Sequence, residues 1–252
     1  MKILFTLLCV DANQKMYLGA SQKLISEILE KTKGDILLST NFVDLLDDFN
    51  AHKRVMVRDN ISFTNSTLKY RDKIDGEFNY NLKHFAFQDI PETYDAIVYL
   101  DCDIKLDKWT EESEELIQKT ITNYEMGATR INCVLKDEVA YLNAGTRCLF
   151  SHKITAYNIR ETYDAGHPIY LSKIPSEHFL IFKNIPEKIK SFQREWSKLN
   201  DHLQSIDGGE GSWGDGFEIG IAAQKAGITE IVEITHNDWS QVLGLSFNGH
   251  KE

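Results

Sequence analysis

The chain has 252 residues, 42% of them hydrophobic and 26% charged, with a formal net charge of −10. That composition is ordinary for a soluble globular protein, and the length suits one large α/β domain or two small ones. The acidic balance argues against tight non-specific binding to nucleic acid or to an anionic membrane, and no run approaches the eighteen or so apolar residues of a membrane span.

Lys2 is followed by an apolar run, Ile3 to Val10, that ends at Asp11 without a small-x-small cleavage pattern. It reads as a first strand over 2–10 rather than a signal peptide. Leu18, Ser21, Leu24, Ile25 and Ile28 recur at helical spacing and predict a helix over 17–32, with Gly34 as its C′ residue. Strands are expected at 35–40 and 55–57, so the opening is a βαβ unit and implies a parallel sheet. Residues 60–77 are polar and aperiodic. Residues 78–88 look helical, with Leu82, Phe85 and Ala86 on one side.

Residues Ala96 to Leu100 are uniformly apolar or aromatic, as in a strand covered on both faces. Further helices are expected over 109–124, from Pro186 and from Phe217. Short strands are expected within 128–150, at 178–183 and at 228–234. A glycine-rich loop is expected over 201–216. The second of these helices carries a stripe of Ile189, Phe192, Trp196 and Leu199, and the third stops at Gly227. The four cysteines, at 9, 102, 133 and 148, show no C-x-x-C spacing. They imply free thiols in a reducing, cytoplasmic compartment.

The strand at 96–100 runs straight into Asp101-Cys102-Asp103, the only D-x-D of the chain. Ligands of open α/β sheets sit just past the carboxyl ends of the strands. If the chain stays extended there, residues i and i+2 point to one side, and two hard oxygen ligands face one divalent cation. Mn²⁺ or Mg²⁺ held in this way stabilises the charge on a leaving nucleoside diphosphate. Two acidic residues that merely cap a strand are the plainer alternative.

The segment from Lys83 through Tyr94-Asp95-Ala96-Ile97-Val98-Tyr99-Leu100-Asp101-Cys102-Asp103-Ile104 resembles the donor half of GT-A glycosyltransferases. The resemblance implies a single Rossmann-like domain over 1–252, with a mostly parallel central sheet flanked by helices. Residues 1–105 would form the nucleotide-sugar-binding half and 106–252 the acceptor-binding and catalytic half. It implies that Asp101 contacts the donor ribose or the metal and that Asp103 ligates the metal. Thr6 and Asp11 fall where such enzymes hold the nucleobase, and Lys83 lies on the helix that faces the donor, although an ordinary surface lysine would fit too. Tyr141-Leu142-Asn143-Ala144-Gly145-Thr146 is similar to the segment of glycogenin-like retaining members that holds the donor sugar, with Thr146 in place of the usual valine. Asn143, Ala144 and Gly145 equally suit a tight turn.

Trp213-Gly214-Asp215-Gly216-Phe217-Glu218 is similar to the acidic element that opens a helix in inverting GT-A enzymes. Asp215 is then the candidate base, with Glu218 one turn on, although Gly216 replaces the second acid and Asp215 also suits an N-cap. Glu210 is a rival base. His236, just beyond the last strand, falls where many GT-A enzymes place a third metal ligand, and a neutral imidazole can complete such a site. The implied activity is metal-dependent transfer of a sugar from a UDP- or GDP-linked donor to an acceptor hydroxyl. The acceptor is a glycan by default. A modified DNA base is disfavoured by the charge, although Lys69, Arg71 and Lys73 form a basic stretch. A retaining enzyme, a sugar-phosphate nucleotidyltransferase and a binding module without catalysis are the alternatives.

Overall fold

The computed structural model describes residues 1–10, 16–41, 47–59, 61, 80–129, 131–132, 174–175, 178–207 and 215–247. Strand β1 (Ile3–Cys9) is buried along its whole length. Helix α1 (Met16–Lys31), β2 (Asp35–Thr40) and β3 (Val55–Arg58) follow it. A 3-10 helix over Tyr80–Phe87 leads to β4 (Ala96–Leu100) and the short β5 (Ile104–Leu106). Then come α2 (Glu111–Asn123), β6 (Met126–Ala128), and the two-residue strands β7 (Ile131–Asn132) and β8 (Ile174–Pro175). The chain continues through β9 (Phe179–Lys183), α3 (Pro186–Asp207), α4 (Asp215–Lys225) and β10 (Ile231–Glu233). A π-helical turn over Asp238–Val242 carries it to β11 (Leu245–Phe247).

Seven strands form the central sheet in the order β10-β6-β9-β4-β1-β2-β3. All run parallel except β9, which is antiparallel to both β4 and β6. The mostly parallel α/β sheet expected from the sequence is therefore present. The unbroken apolar or aromatic run of β4 reflects burial on both faces. Ile3, Phe5, Leu7 and Cys9 of β1 join the core layer beneath α1 and α2, whereas Leu4 and Leu8 join the layer beneath the 3-10 helix, α3 and α4. Side-chain alternation along a strand produces this division.

Several expectations are corrected. Residues 80–87 are helical as expected, but as a 3-10 helix, and burial is not confined to the side of Leu82, Phe85 and Ala86: Leu82 to Phe87 are six consecutive buried residues. Gly34 is not the C′ residue of α1. The helix closes at Thr32, whose N–H and Oγ1 both donate to Ile28 O at 3.0 and 2.9 Å. Gly34 is instead packed so tightly on Phe5 that a Cβ there would lie 2.6 Å from the ring. Residues 201–207, expected in a loop, extend α3. Helix α4 begins at Asp215, and β10 is shorter than expected.

Gly227 does act as a stop. At φ +73° it donates to Gln224 O, while Ile228 N donates to Ala223 O, the paired bonds of a Schellman motif. The stripe on α3 is as read: Ile189, Phe192, Trp196 and Leu199 are all buried.

The pair β5/β11 was not expected. It is an antiparallel ribbon with Phe247 opposite Ile104 and Ser246 opposite Lys105. Ser246 Oγ donates to Asp107 Oδ2 at 2.6 Å, and Asp107 N donates to Gly244 O at 2.8 Å. Ser113 Oγ, in the first turn of α2, donates to Val242 O at 2.7 Å. The segment beyond β10 is thereby fastened to the residues that follow Asp103.

Candidate active site

Tyr99 and Asp101 are two residues apart and share the face of β4 that looks toward the 3-10 helix. That helix supplies Lys83, a lysine almost without solvent contact. Its Nζ donates to Asp101 Oδ2 at 3.1 Å, with the two side chains 8% and 13% exposed. The surface-lysine reading of Lys83 is thus removed. Tyr99 OH donates to Asp101 Oδ1.

The fourth member is His178, a residue to which the sequence assigns no definite role. Because β9 is antiparallel, its amino end lies at the carboxyl end of β4, and Leu100 pairs with Phe179. Asp101 N donates to His178 O at 3.0 Å, and His178 Nδ1 lies 3.0 Å from Asp101 Oδ2. The His178 side chain is 40% exposed, the most open of the contacts to Asp101 Oδ2.

Burial on its own pushes the Asp101 carboxyl up. Lys83, His178 and Tyr99 together outweigh that, and hold it at about 2. The same burial, with the Asp101 charge beside it, pushes the Tyr99 phenol up. Asp101 is therefore an ionised carboxylate at neutral pH, and Tyr99 is a neutral donor.

Beyond Asp101 the chain does not stay extended. Ile104 N donates to Asp101 O at 3.0 Å, which closes a turn with Cys102 and Asp103 at its centre. The two aspartates are not successive same-side residues of a strand, and each has its own surroundings. Asp103 sits half-buried in the turn. Cys102 meets Cys9 at the end of β1; that contact, and then burial, pushes its thiol up. Both are free cysteines.

The other candidates are spread more widely. Thr6 is fully buried in the middle of β1, opposite Tyr99. Asp215 opens α4. Because α4 leads through a short connection into the amino end of β10, its own N-terminus lies toward the carboxyl edge of the sheet, the edge that carries Asp101. Glu218 is fully buried one turn on, and its Oε2 accepts from Trp196 Nε1 at 3.0 Å. This contact fastens the first turns of α4 to α3. His236 is exposed, with its ring against Trp239 and its Nδ1 3.3 Å from Ser240 Oγ. It follows β10, which stands three strands from β4, roughly 14 Å across the sheet. Asp11, Asn143, Ala144, Gly145 and Glu210, together with Lys69, Arg71 and Lys73, lie outside the described residues.

Among the described residues, no group of three or more His, Cys, Asp or Glu is gathered as a ready-made metal centre. Such a centre is not required for a Mg²⁺-type site, which uses one or two carboxylates, with substrate phosphates and water completing the shell. The hard-oxygen donor set of the turn fits that requirement. No helix among the described residues is long and apolar enough to cross a membrane.

No protein-family model matches the chain, and no curated protein sequence matches it. Three solved structures similar in fold are glycosyltransferases. They are the bifunctional WbbM in its apo form (14% identity, TM-score 0.46), mouse xyloside xylosyltransferase 1 in its apo form (12%, 0.48) and the mannosyltransferase Ktr4p from S. cerevisiae (13%, 0.52). The matches cover 92%, 95% and 98% of this chain, and 38%, 87% and 70% of the respective partners. The chain thus spans well under half the length of WbbM. The likeness to Ktr4p, over nearly the whole chain, shows that this chain shares the fold of that mannosyltransferase.

Proposed function

We propose that this chain is a glycosyltransferase that moves a sugar from a UDP- or GDP-linked donor to an acceptor hydroxyl, with a glycan as the default acceptor. The observation that carries the reading is the Lys83–Asp101–His178 cluster, enclosed at Lys83 and Asp101 and open at His178, at the carboxyl end of β4, beside the Asp103 turn, in a GT-A-like fold. The nearly enclosed Lys83–Asp101 pair at that edge is costly as mere structure, and ligands bind there in open α/β sheets.

In this reading Asp103, assisted by Asp101, would hold Mn²⁺ or Mg²⁺, and the ion when bound would offset the charge of the donor diphosphate. Asp101 already accepts from Lys83, Tyr99 and His178, which favours Asp103 as the direct ligand. His236 is one candidate for a third ligand. Asp215 would take the proton of the acceptor hydroxyl, giving inversion, and the Trp196–Glu218 contact would hold the helix that presents it.

The test is calorimetric titration of UDP- and GDP-sugars with Mn²⁺, followed by acceptor-free hydrolysis. Asp103→Ala should abolish metal-dependent donor binding. Asp215→Asn should retain donor binding and lose transfer. Failure of the wild-type chain to bind any nucleotide sugar with Mn²⁺ refutes the reading. Transfer that survives in Asp215→Asn removes that residue as the base, and the anomer of the product decides between inversion and retention.

A further inference from the structure

We propose that Glu27 and Lys31 of α1 are positioning residues for the turn from Asp101 to Ile104, and hold it in the shape that receives the donor diphosphate with its metal ion. This rests on the transferase reading above. The register of the β5/β11 ribbon leads to it. Asp107 N donates to Gly244 O at 2.8 Å, one step beyond the pair Leu106 and Leu245. Bonded and non-bonded pairs alternate along an antiparallel ladder, so Lys105 and Ser246 are the next bonded pair. Leu106 lies between the two, and its N–H and C=O point away from β11. On that side they find side chains of α1 rather than a strand. Leu106 N donates to Glu27 Oε2 at 2.9 Å, and Lys31 Nζ donates to Leu106 O at 2.6 Å. Glu27 and Lys31 are four residues apart and so share one face of the helix.

Ile104 is two residues before Leu106, and its N–H points to the same side. That N–H closes the turn by donating to Asp101 O at 3.0 Å. The turn bond and the α1 clamp therefore lie on one edge of β5, while β11 holds the other. Ile104 and Leu106 also bury their side chains in the core layer of Leu24 and Ile28, so α1 and β5 are packed as well as bonded. A three-residue strand with a single short partner is marginal in water. With both edges held, β5 is a fixed platform. The place of Ile104 N on it then sets where the turn, and Asp103 within the turn, can lie.

Amide hydrogen exchange of the full chain, free of metal and nucleotide, reads the clamp first. In Glu27→Ala the amides of Leu106 and Ile104 should both lose about tenfold in protection, the worth of one hydrogen bond, while Val98 in β4 keeps its own. Loss at Leu106 alone shows that the clamp does not hold the turn. Loss at Val98 as well shows general support of the fold. Either result overturns the proposal. The second measurement is the Mn²⁺ concentration that half-saturates binding of UDP, and of GDP. Glu27→Ala and Lys31→Met should each raise it about tenfold, the lower end of what outer support of a metal site is worth, and keep nucleotide affinity at saturating Mn²⁺. Glu27→Gln retains an oxygen that accepts from Leu106 N, and should return both readings to those of the wild type. A Glu27→Gln chain that behaves as Glu27→Ala does overturns the proposal. Should Glu27→Ala fail to fold, Lys31→Met keeps the aliphatic stem and carries both measurements. Folded variants with an unchanged Mn²⁺ requirement overturn the proposal and leave the transferase reading intact. A wild-type chain that binds neither nucleotide with Mn²⁺ overturns both.

Discussion

Replacing Lys83 with methionine tests the physical basis of the site. Lys83 Nζ and Asp101 Oδ2 are 3.1 Å apart, with side chains 8% and 13% exposed. At that distance and an effective dielectric of about 20, two unit charges attract by roughly 5 kcal/mol. Removing one partner leaves a buried carboxylate without its cation, and such losses run at about 3–5 kcal/mol. His178 and Tyr99 still hold Asp101, so the lower end is expected, about 3 kcal/mol at pH 7 by urea denaturation. The pH dependence adds a second signature. The carboxyl of Asp101 lies near 3.8 when unfolded and at about 2 when folded. Its contribution is therefore fully present above pH 3.8 and is lost as pH falls through 2. Without Lys83, burial is less opposed and the folded value rises, so the variant and the wild type should converge in stability toward pH 2. In a cycle with Asp101→Asn, the coupling should be at least about 2 kcal/mol. A Lys83→Met chain within about 0.5 kcal/mol of wild type at pH 7, with no narrowing in acid, would refute a buried pair.

Three further outcomes follow from the same structure. Burial holds His84 at about 4 against its usual 6.5, so the unfolded chain takes up a proton that the folded chain refuses between these values. Stability should fall by about 1.4 kcal/mol per pH unit from 6.5 toward 4, and urea titrations of His84→Gln should lose that slope. Gly34→Ala would set a Cβ 2.6 Å from the fully buried Phe5 ring, which itself meets Trp109 edge-on, and should cost about 1–2 kcal/mol by thermal melting. Trp196→Phe removes the donor to Glu218 Oε2 and part of a filled volume. It should cost about 2–3 kcal/mol in the same assay, and should lower transfer more than donor binding if α4 presents the base.

What could be read from the sequence depended on how local the determining interaction is. Ala96 to Leu100 announce β4 because a strand buried on both faces has no polar alternation, and the stripe of α3 is visible because Ile189, Phe192, Trp196 and Leu199 repeat at helical spacing. Lys83 was singled out by the family resemblance on position alone, and nothing local distinguishes it from a surface lysine. The turn at Asp101 was not legible, since it rests on one bond from Ile104 N to Asp101 O in a segment that can equally run extended. His178 was missed as a site residue for a different reason. It meets Asp101 only because β9 enters the sheet antiparallel beside β4, 77 residues later, and a short apolar strand carries no mark of its direction or neighbour. Strands β5 and β11, of three residues each, are too brief to show any period. Gly34 was misread because close approach to Phe5, not backbone freedom, is what calls for a glycine there.

The β5/β11 ribbon sets an order of events during synthesis. All seven strands of the central sheet lie within residues 3–233, so the sheet can assemble as soon as β10 has emerged. The backbone that follows Asp103 acquires its partner only when Leu245–Phe247 arrive, roughly 140 residues after β5. At translation speeds of about 5–20 residues per second, that is an interval of roughly 7–28 s. For that time a nascent chain carries Asp101 and Asp103 with one side of their support missing. Under the proposed function, donor capture depends on this ribbon as well as on the sheet, and a released chain truncated at residue 240 should fold its sheet yet bind nucleotide weakly.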